Sequence, residues 1–181
     1  MSRGDTRGPR EFYTGKMNER DVLGAAPLTP EFRRAYQERA NERGYLPYGA
    51  SFDLVRRYTN QDPHQPAKPF ASELRLAVAD ALGLETDEDL ERVTFYTAVG
   101  TPADVYHGVD GWIEYQTPDG KRLIVTLDVT KNPNKDEWKA DVIIPEVTDP
   151  SENENAFLAQ VEKFGGMVAS KLEEQMEELA A

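Results

Sequence analysis

An aspartate in the middle of a strand is the feature that most restricts this chain. Arg122-Leu123-Ile124-Val125-Thr126-Leu127-Asp128-Val129-Thr130-Lys131-Asn132 is an apolar run with the composition of a strand, and Asp128 sits deep inside it. Asp is depleted in strands, and a buried carboxylate without a partner is costly. An earlier run, His107-Gly108-Val109-Asp110-Gly111-Trp112-Ile113-Glu114-Tyr115, reads as the partner strand, and Pro118-Asp119-Gly120 lies between the two. The pair reads as a β-hairpin with an aspartate on each arm. The turn decides whether the two meet.

Pro118-Asp119-Gly120 suits a three-residue loop, with Pro at the first turn position, Asp at the second and Gly at the left-handed third. In that register Thr117 faces Lys121, Trp112 faces Thr126 and Asp110 faces Asp128. Directly opposed residues share a face, with Cβ atoms ~5 Å apart. A two-residue loop shifts the register by one and separates the aspartates onto opposite faces. The three-residue loop is favoured because it gives Gly120 a specific role. Two adjacent carboxylates repel and ask for a proton or a cation between them, and a hard divalent ion such as Mg²⁺ suits oxygen ligands. The local alternative is an Asp128 that caps a loop amide and an Asp110 near solvent. Glu114, on the same face as Asp110, reads as a solvated strand residue.

The surrounding chain reads as α/β. Thr29 caps and Pro30 opens a helix that runs to about residue 40. A second short helix spans residues 51 to 58, and a proline-rich linker follows. Another helix covers about 71 to 82 with Gly83 as its stop; Thr86 caps a short turn, and Val93 to Val99 is a strand broken by Gly100-Thr101-Pro102. Residues 135 to 139 suit one helical turn, and 140 to 144 a fourth strand closed by Pro145. Ser151 and Glu154 have the spacing of a capping box for a long final helix. Its apolar stripe is Phe157, Val161, Phe164, Val168, Leu172, Met176 and Leu179. Gly165-Gly166 within it either bends the helix or admits another backbone. The chain divides into a flexible arm over 1–28, a helical extension over 29–62 and an α/β core over 63–181.

Composition narrows the chemistry. With no cysteine among 181 residues, a disulfide framework, thiol catalysis and thiolate-bound zinc are excluded. The first residues lack an apolar leader region, and no run is long enough to span a membrane, which suits a soluble cytoplasmic protein. The formal charge of −12 is uneven: residues 1–62 carry +2 and residues 63–181 carry −14. An acidic core is a poor non-specific polyanion binder, because phosphate contacts need cations. The N-terminal third holds the compensating feature. Arg33, Arg34, Tyr36, Arg39, Arg43, Tyr45, Tyr48, Arg56, Arg57 and Tyr58 interleave guanidiniums with rings, the composition of a nucleic-acid surface. The glutamates among them suit equally well two amphipathic helices packed on the core.

The order of these parts resembles the PD-(D/E)XK nuclease superfamily, most closely its RecB-type members. Glu73 lies on the helix before the sheet. Gly108-Val109-Asp110 resembles the Gly-x-Asp that opens the second strand, and Leu127-Asp128-Val129-Thr130-Lys131-Asn132 resembles the Asp-x-Lys-Thr-Asn that ends the third. Gln160-Val161-Glu162-Lys163-Phe164 is similar to the Gln-x-x-x-Tyr of the following helix, with Phe for Tyr. The resemblance spans about residues 70–170. It implies a restriction-endonuclease-like core, a mixed sheet of about four strands flanked by helices, and Mg²⁺- or Mn²⁺-dependent hydrolysis of phosphodiesters in DNA or RNA. It implies metal ligands at Asp110, Asp128 and Glu73, a catalytic lysine at Lys131, and a nucleic-acid contact from Gln160; His107, three residues before Asp110, and Arg33 and Arg34 of the N-terminal cluster are further candidates for nucleic-acid contacts. His107 also suits loop capping.

The lysine departs from the pattern. The family reads Asp-x-Lys, and this chain reads Asp128-Val129-Thr130-Lys131. Strand alternation puts Thr130 on the face of Asp128 and turns Lys131 away. Lys131 reaches the site only if the strand ends or bulges at Thr130; Lys135 or Lys139 are the other sources of charge. Without any of them, the domain is an inactive relative that serves as a protein- or nucleic-acid-binding module.

Overall fold

The hairpin turn forms as its residues predict. Gly120 adopts φ 86°, the Gly120 N–H donates to Thr117 O at 2.9 Å, and the Thr117 N–H donates to Lys121 O at 2.9 Å. The two strands, β2 (Gly111–Gln116) and β3 (Arg122–Val129), therefore pair with Trp112 opposite Thr126 and Gln116 opposite Arg122. The structure, a computed structural model, describes residues 16–130 and 139–181.

Strand β1 (Val93–Thr97) adds antiparallel to β2, and β4 (Val142–Ile144) adds parallel to β3, giving a four-stranded mixed sheet in the order β1-β2-β3-β4. Helices cover both faces, so the architecture is α/β. On one face Phe95, Ile113, Val125, Leu127 and Ile144 pack against α4 (Pro69–Ala81) and α7 (Glu154–Ala180) through Leu74, Val78, Phe164, Val168 and Leu172. On the other face Trp112 packs with Phe52 and Val55 of α3 (Tyr48–Tyr58) and with Ala103 of α6 (Pro102–His107). Behind α3 lies α2 (Pro30–Arg39), joined to it by Phe32, Ala35, Leu46 and Leu54. Among the described residues no helix is long and apolar enough to cross a membrane.

Helix starts follow local chemistry. Thr29 Oγ1 accepts the Phe32 N–H at 3.0 Å, and Thr86 Oγ1 accepts the Asp89 N–H at 3.1 Å to open α5 (Asp87–Leu90). Three expectations need correction. The cap of α7 is Asn153, whose Oδ1 accepts the Ala156 N–H at 3.0 Å. Ser151 is not available for that role, because its N–H and hydroxyl both go to Asp149 Oδ1. His107 closes α6 rather than opening the hairpin strand. Gly108, at φ 65°, is the left-handed stop of that helix, and the strand begins at Gly111. The arm expected over 1–28 is built into the fold from Lys16. There α1 (Lys16–Val22) leads into buried Val22, Leu23 and Ala26, and the Ala26 N–H donates to Val99 O. Two apolar residues in succession, Val22-Leu23, outweigh the arginines and glycines around them. Residues 1–15, and the helical turn expected over 135–139 up to residue 138, lie outside the described residues.

Close approach explains one glycine of the Gly165-Gly166 pair. A Cβ on Gly165 would lie 2.6 Å from Ala77 Cβ, where α7 crosses α4, whereas a Cβ on Gly166 would meet nothing within 4 Å. Gly165→Ala should therefore destabilise the fold by ~1–3 kcal/mol through overpacking. Gly166→Ala should stabilise it by up to ~1 kcal/mol through helix propensity. Urea unfolding of the two variants checks this; equal effects would remove the close-packing assignment.

Candidate metal centre

Asp110 reaches its position because α6 ends one turn before it. After the Gly108 stop, Val109 turns into the core and Asp110 joins the sheet just ahead of β2. Its carbonyl accepts the Ala98 N–H at 2.8 Å, and its N–H donates to Leu127 O at 2.9 Å. Its carboxylate Oδ2 accepts the Val129 N–H at 2.7 Å. One residue thus ties the end of β2 to the segment after β1 and to the end of β3. Only 3% of Asp110 is exposed.

Two further acids converge on it. Glu19 comes from α1 and Asp104 from α6, and each of the three residues offers a carboxylate oxygen within 4.8 Å of the others. Asp104 is itself oriented, because its Oδ2 accepts the Gly100 N–H at 2.8 Å. Asp128 is 8% exposed and follows Leu127, the residue that pairs with Gly111 and accepts the Asp110 N–H. Its charge acts on Asp110, less strongly than those of Glu19 and Asp104. Burial, then Glu19, then Asp104 and Asp128 push the Asp110 carboxyl up to about 9, against the downward pull of the Val129 N–H. The arrangement offers hard oxygen ligands on three separate elements, the donor type that suits Mg²⁺ or Mn²⁺.

The other expected site residues fall elsewhere. Glu73 is exposed on α4 and is not one of the three convergent acids. Arg33 and Arg34 are exposed on α2. His107 Nε2 pairs with Leu46 O at 2.9 Å, and Gln160 Oε1 accepts the Thr148 N–H at 2.9 Å, so both brace loops. Lys131 lies outside the described residues. Tyr36 donates its hydroxyl to Gly44 O, and Arg39 lies over the Tyr58 ring and pairs with Asp53, so these three members of the arginine–tyrosine set are spent on contacts within the helical layer. Glu114, expected in solvent, is buried and holds Arg56, Arg122 and the Trp112 Nε1–H together. Sequence reasoning missed Glu19 and Asp104. For Asp104 a signal was present: Pro102 and Gly108 bracket a short helix as first residue and left-handed stop.

No family model, curated protein or solved structure matches the chain.

The acidic group makes stability depend on pH. The Asp110 carboxyl stays protonated in the fold far above the value of ~3.9 at which it ionises in the unfolded chain. This contribution is therefore complete below pH ~4 and is lost as pH rises toward 9. Asp110→Asn keeps an acceptor for Val129 and removes the titration. In EDTA its melting temperature should exceed the wild type at pH 8, by a margin that shrinks toward pH 4. A margin that does not change with pH would show that Asp110 carries no such shift.

Proposed function

We propose that this chain is a divalent-metal-dependent phosphodiesterase of PD-(D/E)XK type, acting on DNA or RNA. The observation that carries the reading is the buried Asp110 carboxylate at the entry of β2, with Glu19 and Asp104 converging on it and Asp128 beside it on β3. The order of helix, three antiparallel strands and a parallel fourth supports the same fold family. Asp110, Glu19 and Asp104 would hold the cation, and Asp128 would adjust the site's charge from the next strand. When bound, Mg²⁺ or Mn²⁺ supplies a polarised phosphoryl oxygen and a water of lowered pKa. The chain's own residues set its place: the Val129 N–H fixes one Asp110 oxygen, and the Gly100 N–H fixes one Asp104 oxygen.

An inactive binding module is the second reading, and the strand end favours it. The Thr130 N–H donates to Ile144 O at 2.9 Å, so pairing with β4 continues through the position where the family has its lysine. Thr130 stands there, buried, in place of an ammonium.

Two measurements separate the readings. Millimolar Mn²⁺ should raise the melting temperature of the wild type, by ~2.7 kcal/mol of stability at a hundredfold excess over the dissociation constant. Glu19→Gln and Asp110→Asn should lose that shift, and Glu73→Gln should keep it. With labelled DNA and RNA, cleavage in Mg²⁺ or Mn²⁺ should fall a hundredfold or more in Asp110→Asn, a loss of ~3 kcal/mol in transition-state stabilisation. Metal binding without cleavage, together with cleavage gained by Thr130→Lys with Lys131→Thr, supports the inactive module. No metal shift in the wild type refutes both the centre and the enzyme.

A further inference from the structure

A trough of about 470 Å³ lies on the face of the sheet that carries Asp110, away from the acidic group and sharing no residue with it. Tyr48 and Phe52 of α3 form one wall, β3 from Arg122 to Thr126 forms the floor, and Asp141 and Gln175 close the other side. Gln175 holds the floor in place: its side-chain amide accepts the Ile124 N–H and donates to Ile124 O, so this stretch of β3 is capped by a side chain instead of a strand.

The trough is polar in a directed way. At one end Arg56 and Arg122 share the single carboxylate of Glu114, which also accepts the Trp112 indole N–H at 2.9 Å. One negative charge answers two guanidiniums, so this end is positive. At the other end Asp141 Oδ2 accepts both the N–H and the hydroxyl of Thr126, each at 2.8 Å, while Oδ1 makes no hydrogen bond to the described residues. Arg122 and Thr126 are four strand residues apart, ~13 Å. The wall between the ends is aromatic. Tyr48 is 50% exposed and lies against Phe52 with ring centroids 4.7 Å apart. The row continues outward through the His107 ring, 5.3 Å from Tyr48 and 5.8 Å from Tyr45, and Tyr45 is 42% exposed.

A ligand for this trough needs an anion at one end, a hydrogen-bond donor at the other and a planar face between them. We propose that the trough is a nucleotide subsite for an unpaired base: Arg122, supported by Arg56, takes the phosphate, Tyr48 stacks the base, and Asp141 accepts from its exocyclic amine. Cytosine, adenine and guanine carry an exocyclic amine; thymine and uracil do not. A base held on a ring must leave its duplex, so the subsite selects single strands. Thr126 and Asp128 share a face of β3 two residues apart, ~7 Å, so the trough leads along the strand toward the acidic group. The inference rests on the phosphodiesterase reading for the polynucleotide alone; the trough is tested without metal.

The test is fluorescence anisotropy of labelled oligo-dC with the full chain, at low salt and in EDTA. Binding is expected, about tenfold tighter than for oligo-dT because one charged acceptor loses its partner in thymine, and tighter than for a duplex of the same length. Arg122→Gln and Tyr48→Leu change exposed side chains, and each should weaken oligo-dC binding about tenfold or more. Lys171→Gln, an exposed charge on α7, should leave it unchanged. Asp141→Asn should abolish the preference for dC over dT. Free cytidine monophosphate as competitor identifies the source: displacement at the affinity of the oligomer assigns the subsite to free nucleotides, and displacement only at far higher concentration assigns it to a chain. No oligo-dC or nucleotide binding, or binding indifferent to both Arg122→Gln and Tyr48→Leu, overturns the proposal. Because the assay contains no metal, that failure is separate from a failure of the metal centre.

Discussion

The register of the β2–β3 hairpin governs both faces of this molecule. With Trp112 opposite Thr126, the residues Ile113, Val125 and Leu127 all point into the core under α4 and α7. The same register puts Asp110, Trp112, Glu114, Thr126 and Asp128 on the other side, because side chains alternate along a strand. A slip of one residue would exchange the two sets, driving carboxylates into the apolar core and valines onto the face that α3 covers only in part. The cost of that exchange far exceeds any gain, so the turn and the pattern specify one pairing. A three-residue loop with glycine at φ 86° is thus coupled to the placement of charged groups at the far end of the hairpin.

Two buried acids on this face are balanced in different ways. Glu114 is surrounded by donors: two guanidiniums and an indole N–H. Such a group is compensated where it stands, and its loss would strand Arg56, which lies over the Phe52 and Trp112 rings. Asp110 is surrounded instead by Glu19, Asp104 and Asp128, and the Val129 N–H donates to its carboxylate against their charge. Acids gathered around an acid oppose folding unless a proton or a cation joins them. The contrast separates a structural carboxylate from one suited to binding, even though the two are only four residues apart in sequence.

Much of this was legible in the chain itself. The turn residues, the alternation in β3, the Thr29 and Thr86 caps and the apolar stripe of α7 from Phe157 to Leu172 are local signals, and local signals need only their neighbours; Leu179, expected in that stripe, is exposed. The register of Gly111–Gln116 against Arg122–Leu127 followed from Gly120. What was not legible depended on distant partners. Glu19 belongs to a segment rich in glycine and arginine, and that segment is held by distant partners, Val22 and Leu23 in the main core and the Ala26 N–H on Val99 O. Glu114 read as solvated because nothing near it in sequence announces Arg56, fifty-eight residues earlier. Gln160 resembled a family motif and His107 stood just before Asp110, yet each is spent on a backbone group of a loop. A short motif specifies residue types, whereas the hydrogen bonds that occupy them come from the tertiary fold.

Strand β3 carries the argument between the two sites. Its first half lacks a neighbouring strand on the β4 side, since β4 pairs only with residues 127–129. Ile124 is satisfied there by the Gln175 amide and Thr126 by Asp141, so the backbone groups of this stretch do not offer an open edge for another chain. Side chains replace a strand, and the space that a longer β4 would have filled becomes the trough. Its second half is fully paired, buried on both faces and ends beside the acids. A single strand is thereby open along the trough and enclosed beside the acidic group, in a low-dielectric setting. The shortness of β4 is what allows both.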